Sequence, residues 1–242
     1  QGVQPISEIK GIHSLVSHFG GDINLRKESG GDNPLLGKGV HIVRDPINNE
    51  VLFTFLGIGR EDSVKNITLV YDEIAQQFTS KYSATPNLYI ENGDILLSNN
   101  PANKKELFQH NVGNWGEFYG NTVEASITLV LNANSPINKI LRTVEFNAIV
   151  RDDNKVIERL QTITGFKIEN EYQTTGKVDF NSGRIKRKFD KWRLKIPRDQ
   201  NTGNNRNRLR SSYFKLTLYF DNIYNKELIL NRILYYYDIQ IF

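Results

Sequence analysis

Between Val40 and Tyr89 large apolar and polar side chains alternate with a period of two, the spacing of strands with one face toward a core. Four runs carry the pattern: Val40–Arg44, Val51–Phe55, Ile67–Tyr71 and Phe78–Tyr82. Val51, Phe53 and Phe55 share one face of the second run, and Ile67, Leu69 and Tyr71 one face of the third. Asp45-Pro46-Ile47-Asn48-Asn49-Glu50 joins the first two runs with hairpin residues, because Pro presets its own φ and Asn tolerates a positive one. Four short antiparallel strands in succession have the size and layout of one β-propeller blade.

The flanking segments read differently. Ile6, Ile9, Ile12, Leu15, Val16 and Phe19 recur at helical spacing, with Ser7 available as a cap and Gly20-Gly21 closing the pattern. Residues 20–39 read as a polar, Gly-rich surface loop. Gly31–Gly39 has only a superficial likeness to a phosphate loop, with one residue too many before Gly37-Lys38 and Gly39 where Ser or Thr would hold magnesium. Beyond the central strands, residues 87–90 and 94–97 form a hairpin around Asn92-Gly93, a pair suited to a type I′ turn. Residues 106–111 and 117–119 complete a further partial blade.

From about Asn121 the strands lengthen: 123–132, 140–151, 156–169, 184–196, 213–220 and 227–242. Trp192, Leu194 and Ile196 share a face opposite Arg193 and Lys195. Such strands, each with one wet face, suggest a β-sandwich. The expected fold class is therefore all-β, with partial propeller blades and a short N-terminal helix over 1–120 and a sandwich-like closing domain over 121–242. Tyr235-Tyr236-Tyr237 puts rings on both faces of the last strand, as expected where a strand is buried on both sides or covered by a partner. Asp199–Asn207 reads as a long exposed loop.

Composition supports the sheet reading, since 13 Phe and 11 Tyr accompany many β-branched residues. With no Cys there is no disulfide, thiol nucleophile or Cys-ligated zinc. There is no Met either, and a start at Gln1-Gly2-Val3 fits a processed chain or part of a longer one. No run approaches the roughly 18 apolar residues of a membrane span.

Little of the sequence points to catalysis. His13 and His18 lie five apart without a carboxylate at ligand spacing, and His41 sits on a strand as a half-buried polar residue, so neither a metal nor another cofactor is expected. Glu50, Asp72, Glu73, Asp94 and Glu117 fall at turns or strand ends, where acidic residues serve local structure. Trp192 reads as core, whereas Trp115, in the Gly-flanked turn Gly113-Asn114-Trp115-Gly116, is the better candidate for a contact surface.

Charge is unevenly placed. The net charge is only +4, yet residues 181–215 hold twelve Lys and Arg against Asp190 and Asp199, leaving the rest acidic on balance. Lys186, Lys188, Arg193, Lys195, Arg206, Arg208 and Arg210 are the candidate contacts with an anionic partner. Arg206, Arg208 and Arg210 alternate and would project to one side of an extended segment, able to pair with carboxylates or phosphates. A subunit interface, a plain charged surface and nucleic acid all remain open.

Lys38–Pro46, Glu50–Phe55, Leu69–Glu73 and Phe78–Ser80 resemble the last propeller blades of large tail proteins from short-tailed phages of the crAss-like group. Pro197–Asp199, Asn207–Arg210, Tyr213–Leu216 and Ile233–Tyr237 resemble the closing domain of the same proteins. The resemblance, to nozzle and muzzle proteins, implies a structural role without turnover in the virion tail. Copies would form a homo-oligomeric ring, typically sixfold, around the channel through which DNA leaves. It implies other tail proteins as partners and contact with double-stranded DNA in transit, with no membrane span. The basic residues would then lie at a subunit contact or the DNA path, and Trp115 with Tyr235–Tyr237 would dock against neighbours. The rival class is a glycan-binding or depolymerising tail module acting on the host surface.

Overall fold

A computed structural model describes residues 39–58, 65–134, 136–201, 207–222 and 225–239. The expected N-terminal helix, the Gly-rich loop and Arg206 lie outside these residues. The chain divides into two compact units meeting at Val112 and Gly113, each built from antiparallel strands. Among the described residues no helix is long and apolar enough to cross a membrane.

In the first unit β1 (Gly39–Asp45), β2 (Glu50–Ile58), β3 (Lys65–Asp72) and β4 (Gln77–Tyr82) form a four-stranded meander. Its first hairpin turns where Pro and Asn demand it, with Asn49 at φ 55° and the Asp45 carboxylate accepting from the Ile47 and Asn48 amides at 3.1 and 3.4 Å. The central strands are buried on both faces, not one. Leu52, Thr54 and Leu56 are sealed on one side of β2, while Phe55 and Phe53 join Leu69, Ile67 and Phe78 on the other. A second sheet of three strands, β5 (Tyr89–Asn92), β6 (Ile95–Asn100) and β7 (Asn103–Gln109), shares a core with the meander through Leu96, Val43, Leu52 and Val70. The β5–β6 turn uses Gly93-Asp94 rather than Asn92-Gly93: Asn92 pairs with Ile95, and only Gly93 takes a positive φ, so the loop is not of type I′.

The second unit opens with β8 (Glu117–Phe118) and β9 (Asn121–Thr122), which pair with each other instead of completing a blade. Two larger sheets follow. One orders β10 (Ala125–Leu131), β17 (Phe214–Phe220), β12 (Gly165–Glu169) and β13 (Val178–Asp179). The other centres on β11 (Lys139–Arg151), flanked on one edge by β18 (Glu227–Ile239) and on the other by β15 (Lys191–Leu194) and β16 (Arg210–Ser211), with β14 (Ile185–Lys188) beyond β15. One apolar core spans both sheets: Phe166, Phe214, Leu216 and Leu218 from the first meet Val144, Phe146, Trp192 and Leu194 from the second. The alternation of Trp192, Arg193 and Leu194 thus falls as expected, the guanidinium outward and its neighbours inward.

Two expected long strands are broken. Of residues 156–169 only Gly165–Glu169 is a strand, because Val156, Ile157 and Leu160 follow no period of two and lie exposed after a turn at Lys155, whose φ is 62°. Residues 184–196 fold back on themselves, with Lys188 opposite Lys191 and the turn made by Phe189, at φ 58°, and Asp190. The start of the 199–207 loop is not exposed. Asp199 is buried and its carboxylate accepts from the Thr174 and Asn201 amides at 3.0 and 3.1 Å.

Candidate contact surface

The pairing of β11, β15 and β14 sets a row of alternate residues on the outer face of their sheet. Glu145, Arg193 and Lys186 lie side by side across the three strands, and Arg184 stands opposite Lys195 one step further along. Arg184, Lys186, Arg193 and Lys195 line a hollow of about 660 Å³ that also takes in Arg142, Arg198 and Arg208. Thr143, Ile196 and Pro197 complete its wall over the buried Leu141 and Leu209. Seven cationic side chains therefore surround one concavity.

Two of the seven are neutralised within the chain. Arg193 meets Glu145 at 2.8 Å, and Arg142 is ion-paired with Asp238 of β18. Among the described residues Arg184, Lys186, Lys195, Arg198 and Arg208 have no carboxylate at ion-pair distance. The hollow thus gathers four of the seven basic residues singled out from sequence. Lys188 and Arg210 lie outside its lining, and Arg206 lies outside the described residues. Arg142 was missed because no local charge count reaches β11, which only sheet pairing brings beside β15.

The candidate docking aromatics separate into two groups. The Tyr235 and Tyr237 rings lie 5.7 Å apart on one face of β18, and their hydroxyls accept from the Ala133 amide at 2.5 Å and from Asn134 Nδ2 at 2.9 Å. They brace the loop before Lys139, a fully buried lysine whose Nζ donates to the carbonyls of Asn134, Ile137 and Ser212. Burial pushes the Lys139 pKa down from its usual value. Tyr236 points the other way, is 46% exposed and donates to Glu145 Oε2 at 3.2 Å, so it stands on the same outer surface as the cationic row.

Trp115 is 49% exposed, with Lys155 Nζ 5.4 Å from its ring centroid. Its turn is fixed from below: the Trp115 amide donates to Asn225 Oδ1 at 2.6 Å, and Gly116, at φ 78°, lies so close to Asn222 that an added Cβ would stand 2.7 Å from that residue's Cβ.

In the first unit the acidic residues serve turns. Asp72 Oδ1 caps the Ile74 and Ala75 amides at 2.8 Å, and Glu73 meets Arg44 at 2.9 Å. Glu50 accepts from Tyr82 at 2.8 Å, and burial first, then the nearby Asp45 and Asp72, raise its pKa. Ser98 Oγ lies 2.6 Å from His110 Nε2, a pairing the sequence reading missed. Ser98 is fully buried, so the pair serves packing and not an attack on substrate, and burial lowers the His110 pKa. Among the described residues no three His, Asp or Glu side chains converge as a metal site requires.

Residues 113–199 match the crassvirus muzzle protein C-terminal domain, beginning where the second unit begins. The chain is related there to the muzzle proteins of crAss-like phages. It is 32% identical over 191 residues to the muzzle protein of Bacteroides phage crAss001, a match covering 76% of this chain. The chain spans only 13% of that muzzle protein's length. That relationship places it in the phage virion, as a component of the tail.

Proposed function

We propose that this chain is a structural part of the tail that closes a ring around the DNA exit channel, contributing to tail closure, assembly and genome ejection, with no turnover. The relationship to a muzzle protein supports the tail role, and the observation that carries the ring reading is the cationic outer face of the β11–β15–β14 sheet. Five cations without carboxylates on a solvent-facing hollow suit a surface completed by another subunit, and Tyr236 beside them offers the aromatic anchor common at such contacts. On this reading the sheets of the first unit are the last blades of a propeller, and the ring has six copies.

Reversing charge at Arg208 and Arg210 to Glu is expected to block particle assembly while leaving the isolated fold intact. Normal particles from that double variant would overturn the interface reading.

Among the described residues the half-exposed Trp115 ring favours a glycan-binding module. Lys155 stands over the ring and ties to Glu227 at 3.3 Å, which leaves less of it for a sugar. Trp115→Ala is therefore expected to leave adsorption to host cells unchanged; a loss of adsorption would bring the glycan reading forward.

A further inference from the structure

The hollow on the outer face of the second unit has a shape as well as a charge, and the two together specify an occupant. We infer that it is a socket for an acidic polypeptide segment, one carrying several carboxylates, supplied by a neighbouring protein chain. The proposal deepens the reading of this face as a subunit contact and rests on it.

Three observations carry the inference. First, the cations are arranged around a concavity of about 660 Å³ and not along a flat ridge. The concavity is half open to solvent, which suits a segment laid along it more than an enclosed small ligand. A DNA duplex, whose major groove alone is about 12 Å wide, could rest phosphates on the rim but could not enter. Second, the half-buried Ile196 and Pro197 give the wall an apolar share, which suits the aliphatic stems and backbone of a peptide and has little to offer a phosphodiester chain. Third, the hollow already holds carboxylates at its edge. Arg193 with Glu145 and Arg142 with Asp238 show the pairing its guanidinium groups adopt when an acid is within reach. Arg184, Lys186, Lys195, Arg198 and Arg208 repeat that chemistry without an acid among the described residues, which leaves them available to carboxylates from another chain. Mutual repulsion among five such cations is relieved when they arrive.

The test uses the 242-residue chain and two probes, a fluorescent hexaglutamate peptide and a short DNA duplex, titrated at about 0.15 M salt, where the Debye length is near 8 Å and diffuse attraction is suppressed. The peptide is expected to bind the wild type, and Lys186→Glu/Arg208→Glu to weaken it at least about tenfold, a loss of roughly 1.4 kcal/mol. Lys188→Glu, on the same strand but outside the hollow, is expected to change binding less than about twofold, a shift within the small range of rim charges. The neutral pair Lys186→Gln/Arg208→Gln repeats the measurement with less perturbation, and unchanged unfolding midpoints certify the fold. If the duplex binds and is lost with the hollow variants while the peptide never binds, the hollow receives phosphates and the proposal is overturned. Equal effects of Lys188→Glu and the hollow variants would also overturn it, leaving a plain charged surface. Because these titrations use the chain alone, their failure leaves the tail-ring reading standing, to be judged by particle assembly.

Discussion

At the scale of single residues, several positions owe their identity to one contact. Gly116 takes a positive φ and has Asn222 where a Cβ would sit, so Gly116→Ala combines backbone strain with a clash. Destabilisation of about 1–3 kcal/mol is expected, read as a lower thermal midpoint. Lys139 is buried against three carbonyls, and Lys139→Met would leave those acceptors without their donor at a cost of about 2–3 kcal/mol. His110 supplies a pH dependence. Its folded pKa lies below 6.5, so as pH falls from 6.5 toward that value the unfolded chain takes up a proton that the folded chain refuses. The first unit should therefore lose stability on acidification through that window, and His110→Gln should flatten the loss when midpoints are compared at pH 7.5 and 5.5. Glu50, whose pKa is raised, works in the opposite direction nearer its own range, which is why the variant and not the raw profile isolates the histidine. Residue roles of this kind were only partly legible. Asn49 and Asp45 announce their turn because Pro and Asn have fixed backbone habits, whereas Phe189 occupies a left-handed turn position that nothing in a Phe side chain advertises.

At the scale of elements, strands with strict alternation were read to within a residue or two at β1, β3 and β4, because the period of two is imposed by the pleat itself, while β2 runs three residues past the expected Phe55. Faces were harder. In β2 the large aromatics at Phe53 and Phe55 suggested the core side, yet Leu52, Thr54 and Leu56 are sealed just as firmly, since a central strand covered on both faces loses the contrast that alternation relies on. The expected strand over 156–169 failed for the converse reason: apolar content without period. β18 runs along nearly all of β11, and Leu228, Leu230, Ile233 and Tyr235 cover the core from that edge. Leu230→Asp is expected to cost about 2–4 kcal/mol, through lost burial and an uncompensated charge, measured by denaturant unfolding. A change under about 0.5 kcal/mol, the scale of surface substitutions, would mean that β18 contributes little to the core.

At the scale of the whole molecule, composition and strand pattern were enough for an all-β chain with antiparallel sheets. The candidate surface was legible in part. A run of twelve cations marks the right segment, but which of them converge depends on sheet pairing: Arg142 joins from forty residues away, while Lys188, on the same strand as Lys186, is left outside. Assembly lies beyond any single-chain pattern, because a surface completed by another subunit looks, in one copy, like unbalanced charge. The most direct test of the ring is cryo-electron microscopy of tails from the phage that encodes this chain, at a resolution that separates subunits. Six copies around the exit channel, each with the Lys186–Arg208 hollow against an adjoining protein chain, is the expected result. A single copy, or copies whose hollows face open solvent or the DNA path, would contradict it.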